Sequence, residues 1–457
     1  MDLNGKRVLV VGLGKSGVAS ALFLKRCGAR VSVSDAKTED ELREQIPVLL
    51  DNGIPVETGG HGERTFRGQD LIVVSPGVPA DAPPLLQARA LGEKVIGEIE
   101  LAAQHFRGQI VAITGSNGKT TTTSLTGDII AASGKPTLVG GNIGTPAISL
   151  VEGAAADSVA VLEVSSFQLE TIETFRPKVA VLLNITPDHL DRHRTFEAYA
   201  KAKARIFENQ RGDDFAVLNA DDPTCMAMAG AIKSQVFWFS RKKEVSQGAD
   251  VRSGHLTFSD SKGPRSIMSV GEIPLKGSHN VENVLAGVCA GALMGCTPEQ
   301  IRNAVRSFKA VEHRLEYVAT VRGVEYYNDS KATNVDATIK ALESFPANIH
   351  LILGGKDKGS DYSVLNPLLR ERVKRVYTIG AAADKIASQV QAAEVVHAET
   401  LEAAVKRAYA SASPGDIVLL APACASFDQF DNYEHRGRVF KELVHGLAAQ
   451  SREEAQP

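Results

Sequence analysis

QIVAITGSNGKTTTTS, Gln109 to Ser124, is an apolar β-branched run followed at once by small and polar residues. Gln109–Thr114 reads as a buried strand and Thr121–Ile130 as a helix. Between them stand Gly115, Ser116, Asn117, Gly118, Lys119 and Thr120. A strand, a glycine turn and a helix N-terminus make an anion cradle. Small residues let amide N–H groups reach phosphate oxygens, and the helix dipole favours negative charge there. Lys119 would reach the terminal phosphates, and the Thr120 hydroxyl would hold Mg²⁺. The spacing is GxxGK[ST], shorter than the usual GxxxxGK[ST], whose first glycine would fall on Ile113. The plain alternative is a strand–helix turn with a surface lysine. The threonines after Lys119 argue against it, being poor helix formers unless they have another task.

Upstream, Lys6–Gly12 reads as a strand, followed by Gly12, Gly14 and Gly17 in GxGxxG spacing and a helix to about Cys27. Arg30–Ser34 is a second strand ending at Asp35. This is a Rossmann-type opening. It suggests NAD or another nucleotide with Asp35 near its sugar or base; otherwise the glycines only pack helix on strand. Asp70–Val74 is a further strand, ending in the Pro/Gly cluster Ser75–Pro79, where a sheet edge gathers ligands. Glu98–His105 reads as a linking helix.

Downstream, Lys135–Val139, Ser158–Glu163, Lys178–Leu183 and Phe215–Asn219 read as strands, and Phe196–Phe207 as a helix carrying Lys201, Lys203 and Arg205. Val236–Ser240 and His255–Phe258 could be short strands. Lys276–Asn280 caps an apolar helix through Met294. Ala310–Glu316 is polar and reads as a hinge. Strands then resume at Glu325–Tyr327, Ile349–Leu353, Arg375–Ile379 and Asp416–Leu420, and Ser451–Pro457 looks frayed. Strands alternating with helices imply parallel sheets covered on both faces.

The chain of 457 residues is long enough for two to four domains, and 43% of it is hydrophobic. A net charge of −3 gives no support for broad nucleic-acid or anionic-membrane binding. The five cysteines are scattered and form no CxxC pair, as expected of reduced thiols in the cytoplasm. No signal peptide and no membrane-spanning run is expected.

The polar clusters occur in the order ITGSNGKTTT, GNIG, LEVSSFQL, NITPDHLDRH, AKAR, HNVEN, EHRLE, NDSKATN, GGKDKG and PACASFDQF. This series resembles the Mur ligase family of ATP-dependent amino-acid ligases over nearly the whole chain. The resemblance implies an α/β protein of three domains. They are a Rossmann-like UDP-substrate domain at 1–99, a central P-loop-type ATPase domain at 100–310, and a Rossmann-like amino-acid domain at 311–457. Within the family the motifs are most similar to members that add D-glutamate to UDP-N-acetylmuramoyl-L-alanine. The implied chemistry is carboxylate activation by ATP to an acyl phosphate, then attack by the amine. Joining an anionic carboxylate to a triphosphate needs Mg²⁺, with Mn²⁺ as an alternative, and a lysine to offset charge.

On that resemblance, Gly115 to Thr120 with Thr121 would hold ATP phosphates. Thr120, Glu163, His189 and Lys203 would serve the metal ions, Lys203 as a carbamate. From its sequence alone, Lys203 looks like one of several solvated charges, and Lys201 is its neighbour competitor. Glu163 could equally be a solvated strand-end carboxylate. A lone histidine is more often structural, but Asp188 and Asp191 beside His189 favour metal chemistry. Asn280 and Asn283 would contact adenine, or Asn280 caps its helix. Arg314 and Asp329 would hold ribose and phosphates, or form a surface ion pair. Gly14, Lys15, Ser16, Asp35, Lys37 and Gly77 would surround UDP, which makes the first glycine turn a UDP rather than an NAD site. Asn142 and Ser165 would lie near the reacting carboxylate. Lys331, Thr333, Lys358, Ser426 and Tyr433 would hold D-glutamate. A monomer is expected.

Rival readings are an NAD oxidoreductase, which leaves the second phosphate loop unused, and a nucleotide-gated regulator, which leaves Asp329, Lys331 and Lys358 surplus. A folate polyglutamate ligase should lack the first domain.

Overall fold

The computed structural model describes residues 2–309 and 312–454. Three α/β sheets follow one another along the chain. The first holds β1 (Arg7–Val11), β2 (Arg30–Ser34), β3 (Val56–Glu57), β4 (Leu71–Val74) and β5 (Val95–Gly97), all parallel, in the order β3-β2-β1-β4-β5. Strand β4 is buried along its whole length, as a strand covered on both faces requires.

The second sheet has nine strands. They are β6 (Gln109–Thr114), β7 (Thr137–Gly141), β8 (Val159–Glu163), β9 (Val179–Leu182), β10 (Phe215–Asn219), β11 (Gln235–Ser240), β12 (Gly248–Arg252), β13 (His255–Asp260) and β14 (Gly263–Ser269). Their order is β14-β13-β12-β11-β10-β9-β6-β8-β7, which puts the strand of the phosphate loop between β9 and β8. The third sheet, β15-β16-β20-β17-β18-β19, comprises β15 (Glu316–Val321), β16 (Val324–Asn328), β17 (Ile349–Gly354), β18 (Val373–Ile379), β19 (Glu394–Glu399) and β20 (Ile417–Leu420).

The expectation of purely parallel sheets needs correction at two places. β12, β13 and β14 form an antiparallel meander, and β15–β16 is an antiparallel hairpin. The connections are too short for a helical crossover, so the strand must turn straight back. The expected hinge at Ala310–Glu316 lies partly outside the described residues, which omit Ala310 and Val311; Glu316 already belongs to β15. The C-terminal helix Tyr433–Glu454 continues through Ser451, where fraying was expected; 455–457 lie outside the described residues.

Contacts divide the chain into two compact units. One contains 1–185, 195–272 and 283–307, and the other 186–194, 273–282 and 308–457. No described helix is long and apolar enough to cross a membrane.

Candidate active site

In the first unit the phosphate loop runs from β6 into the helix Lys119–Ala131. Gly118 caps that helix with φ +84°, a left-handed conformation. A Cβ there would stand 2.2 Å from Asn283 Oδ1, so glycine is required for both space and backbone. Asn283 also accepts from the Thr122 hydroxyl at 3.4 Å, which places this candidate adenine residue against the loop. The Lys119 ammonium donates to the Gly115 and Ser116 carbonyls at 2.9 Å each. The Asn117 amide is held by Asn184 Oδ1 at 2.8 Å.

Glu163 ends β8, the strand beside β6, and is 2% exposed. Its Oε2 accepts from the Thr120 hydroxyl at 2.7 Å and its Oε1 from Asn142 Nδ2 at 2.8 Å. The solvated-carboxylate alternative is thereby excluded. Sheet register does this: β6 and β8 pair in parallel, with Ile113 opposite Glu163, so their ends share one edge.

Lys203 is 1% exposed, whereas Lys201 on the same helix is exposed. The reading of Lys203 as a solvated charge therefore fails, and the two residues lie on different helix faces. Its Nζ donates to the Gly115 carbonyl at 2.8 Å and lies 3.4 Å from Thr114 Oγ1. It sits over the Tyr199 ring at 4.7 Å, and Tyr199 OH is 3.1 Å from Ser116 Oγ. Lys119, Thr120, Asn142, Glu163 and Lys203 thus gather on one loop.

The N-terminal candidates also lie at one sheet edge, after β1, β2 and β4. Gly14 precedes the helix Lys15–Arg26. Asp35 accepts from the Leu13 amide at 2.5 Å and the Lys37 amide at 2.8 Å, so it holds the glycine turn as well as bordering it. Ser75, two residues before Gly77, donates to the Gly12 carbonyl at 2.8 Å. The strand order reverses between β1 and β4, where such sheets bind ligands. Ser165 caps the turn Ser166–Leu169 in a capping box with Gln168.

In the second unit, His189 adopts φ +52°, and its amide donates to Asp188 Oδ1 at 2.9 Å. Asp188 Oδ2 accepts from Asn334 at 3.1 Å. The Asp191 side chain lies outside the described residues. Asn280 donates to the Lys276 carbonyl at 2.6 Å. Asp329 is buried, accepts from the Leu315 amide at 3.3 Å, and has its carboxyl pushed up to about 6 by burial, with Arg314 opposing. Arg314 Nε and His279 Nδ1 are buried and meet no acceptor or donor among the described residues. His279 is held down at about 4 by burial and by Arg314 and Lys340. Such orphaned polar atoms fit a polar ligand better than a surface ion pair.

The D-glutamate candidates follow β16, β17 and β20, three adjacent strands. Lys331 Nζ lies 5.1 Å over the Tyr433 ring. The Thr333 amide donates to the Lys331 carbonyl at 2.8 Å. Lys358 Nζ is 3.9 Å from Asp188 Oδ1, and its loop is tied by paired bonds between Lys356 and Ala425, beside Ser426.

Sequence reading missed Arg436. It is 0% exposed, with Nε on Ser330 Oγ at 2.9 Å and Nη2 on the Ser330 and Cys424 carbonyls at 2.8 and 3.2 Å. It fastens the Lys331 loop to the Ser426 loop. A lone arginine on a polar helix carries no local signal of this. Glu312 and Glu316, which clasp Lys441 at 2.8 and 2.7 Å beside Arg314, were missed for the same reason.

The chain matches three family models. These are the Mur ligase MurD-like N-terminal domain over 6–97, the Mur ligase middle domain over 113–291, and the Mur ligase glutamate ligase domain over 313–424. It is 69% identical over 452 residues to a UDP-N-acetylmuramoylalanine–D-glutamate ligase of Koribacter versatilis, covering 99% of this chain and 100% of that one. It is 59% identical to the enzyme of that name from Acidobacterium capsulatum, covering 97% of each. The fold is similar to a MurF ligase of Thermotoga maritima in complex with ADP, with TM-score 0.62, 17% identity, and 98% and 99% coverage of this chain and that one. A match that runs through all three sheets shows that the chain belongs to the Mur ligase family.

Proposed function

We propose that this chain is an ATP-dependent ligase that joins D-glutamate to UDP-N-acetylmuramoyl-L-alanine, a cytoplasmic step in making peptidoglycan precursors. The observation that carries the reading is the convergence of Lys119, Thr120, Asn142, Glu163 and Lys203 on one glycine loop. The full-length relatives of that name support the substrates. The reading assigns three domains to the chain, at 1–99, 100–310 and 311–457.

A substrate carboxylate oxygen attacks the γ-phosphorus of ATP, and ADP leaves. The D-glutamate amine attacks the acyl carbon and loses a proton, the bond from that carbon to the bridging oxygen breaks, and phosphate leaves with the bridging oxygen, which came from the substrate carboxylate. Lys119 offsets the charge of the approaching anions, and the amides of the loop hold the phosphates. Asn142 and Ser165 hold the carboxylate; Lys331, Thr333, Lys358, Ser426 and Tyr433 bind D-glutamate. The hydroxyl of Thr120 and the carboxylate of Glu163 are hard oxygen donors that fit Mg²⁺ or Mn²⁺. When bound, the ion neutralises phosphate charge. Lys203 would act as a carbamate, formed when its neutral amine adds to carbon dioxide and releases a proton. His189 stands as a ligand of a second ion on the resemblance alone.

One experiment tests the reading. The protein is given ATP, Mg²⁺ and UDP-N-acetylmuramoyl-L-alanine with D-glutamate, L-glutamate, L-lysine or diaminopimelate. Phosphate release and a product mass with D-glutamate alone are expected. Release with another amino acid, or none with any, overturns it.

A further inference from the structure

Residues 312–315 lead into β15 and carry Arg314. Both chain neighbours of Arg314 hold left-handed backbone, His313 at φ +65° and Leu315 at φ +39°. Neither is glycine, so both conformations are unfavourable in themselves and persist only where the surroundings fix them. Carboxylates fix both. The His313 amide donates to Glu316 Oε2 at 2.9 Å, and the Leu315 amide to Asp329 Oδ1 at 3.3 Å. Arg314 Nε is buried and meets no acceptor among the described residues. An arginine with its backbone held on both sides and a buried Nε left over is set for a ligand.

Glu316 is itself held from two other elements. Its Oε2 also accepts from Asn328 Nδ2, on β16, at 3.1 Å, and its Oε1 accepts from Lys441 Nζ, on the C-terminal helix, at 2.7 Å. Asn328 Nδ2 lies 2.9 Å from His313 Nδ1 as well, so one amide group spans the carboxylate and the ring. The His313 ring is 3% exposed and lies against Gly437, where a Cβ would stand 2.2 Å from Nδ1. Only a glycine lets the last helix come this close. Docking that helix does not require Glu316. Phe440 and Val444, both 0% exposed, share a core with Val321 and Val324, and Lys441 has a second carboxylate in Glu312 at 2.8 Å.

We propose that Glu316 is a positioning residue for nucleotide binding: clamped by Lys441 from the last helix, it fixes the left-handed turn that presents Arg314 to ATP. A carboxylate suits this part because its two oxygens accept from separate donors, one from the backbone amide and one from the ammonium. The proposal rests on the reading of Arg314 as an ATP ligand. It gives Lys441, far along the chain from the phosphate loop, a part in binding the nucleotide.

The test compares full-length Glu316→Ala, Glu316→Gln, Lys441→Met, Arg314→Ala and the Glu316→Ala/Arg314→Ala pair. KM is measured for ATP and for UDP-N-acetylmuramoyl-L-alanine. Glu316→Ala should raise the ATP KM by roughly 10-fold or more and leave the UDP-substrate KM within about 2-fold. Lys441→Met frees one carboxylate oxygen and should raise the ATP KM by about 5-fold with the same selectivity. Glu316→Gln keeps an acceptor for the His313 amide and should stay within about 3-fold of the parent. The double variant should be no worse than the more impaired of its single variants, because the two residues act in series. An unchanged ATP KM in Glu316→Ala, or an equal rise for both substrates, overturns the proposal, while a raised ATP KM in Arg314→Ala preserves the reading of that residue. An unchanged ATP KM in Arg314→Ala overturns that reading and the proposal with it. Should Glu316→Ala fail to fold, Lys441→Met decides alone by the same criteria.

Discussion

The Thr120 hydroxyl donates to Glu163 Oε2 at 2.7 Å, joining the first turn of one helix to the end of the neighbouring strand. With Asn142 on the other oxygen, both Glu163 oxygens are held in place beside the phosphate loop. Glu163→Gln keeps the shape and removes the charge. Phosphate release should fall by about 100-fold or more, with a higher Mg²⁺ requirement and little change in melting temperature. Activity within about 10-fold of the parent would remove Glu163 from the metal site.

Lys203 stands on the Gly115 carbonyl at 2.8 Å, away from solvent. Lys203→Ala should lose roughly 100-fold or more in turnover, and acetate or formate should restore part of it by standing in for the carbamate. Rescue is read as turnover against added carboxylate. A fully active variant would dismiss the carbamate.

Gly118→Ala tests the backbone itself. The left-handed φ costs an L-residue about 1–2 kcal/mol, and the new Cβ meets Asn283 Oδ1 as well. The variant should melt lower and need more ATP for half-maximal rate. Unchanged values would mean that the loop tolerates a different path.

Asp329 carries a pH signature. Its folded carboxyl titrates at about 6, above its ordinary 3.8, because it is buried. The folded state therefore binds this proton more tightly than the unfolded chain. The group's destabilising ionisation is absent below about 4, grows between about 4 and 6, and is complete above that. Asp329→Asn should be more stable than the parent at pH 7.5, by on the order of 2 kcal/mol, and the gap should close near pH 4. Its ATP KM should rise if the ionised carboxylate binds the nucleotide. Melting curves across pH measure the first effect; equal gaps at both ends would refute the burial argument.

Arg436 is predicted to act on one substrate. Burial lowers its guanidinium to about 10, still charged at neutral pH. Arg436→Met strips the partners from Ser330 and from the Cys424 carbonyl, which should cost about 3 kcal/mol and raise the D-glutamate KM. Arg436→Lys should restore little, because an ammonium lacks the planar fork. A change in the ATP KM alone would count against the assignment.

What the sequence by itself determined was local. The phosphate loop, the first glycine turn and most strand limits were legible because each depends on neighbours in the chain. β-Branched runs, glycines at turns and a helix start carry their own signals. β6, β2 and β10 fall where the apolar runs place them. The antiparallel meander β12–β14 was not legible, because pairing direction follows from connection and packing rather than from a residue period. The resemblance singled out Glu163 and Lys203, but the tertiary structure alone decided their burial and contacts, and it alone revealed Arg436. Each is an ordinary charged residue in sequence. Sheet register brings Glu163 to Thr120, a helix face turns Lys203 inward while Lys201 stays exposed, and the last helix lays Arg436 across two loops. Burial of a charge is a property of what folds over it, and that comes from residues far away in the chain.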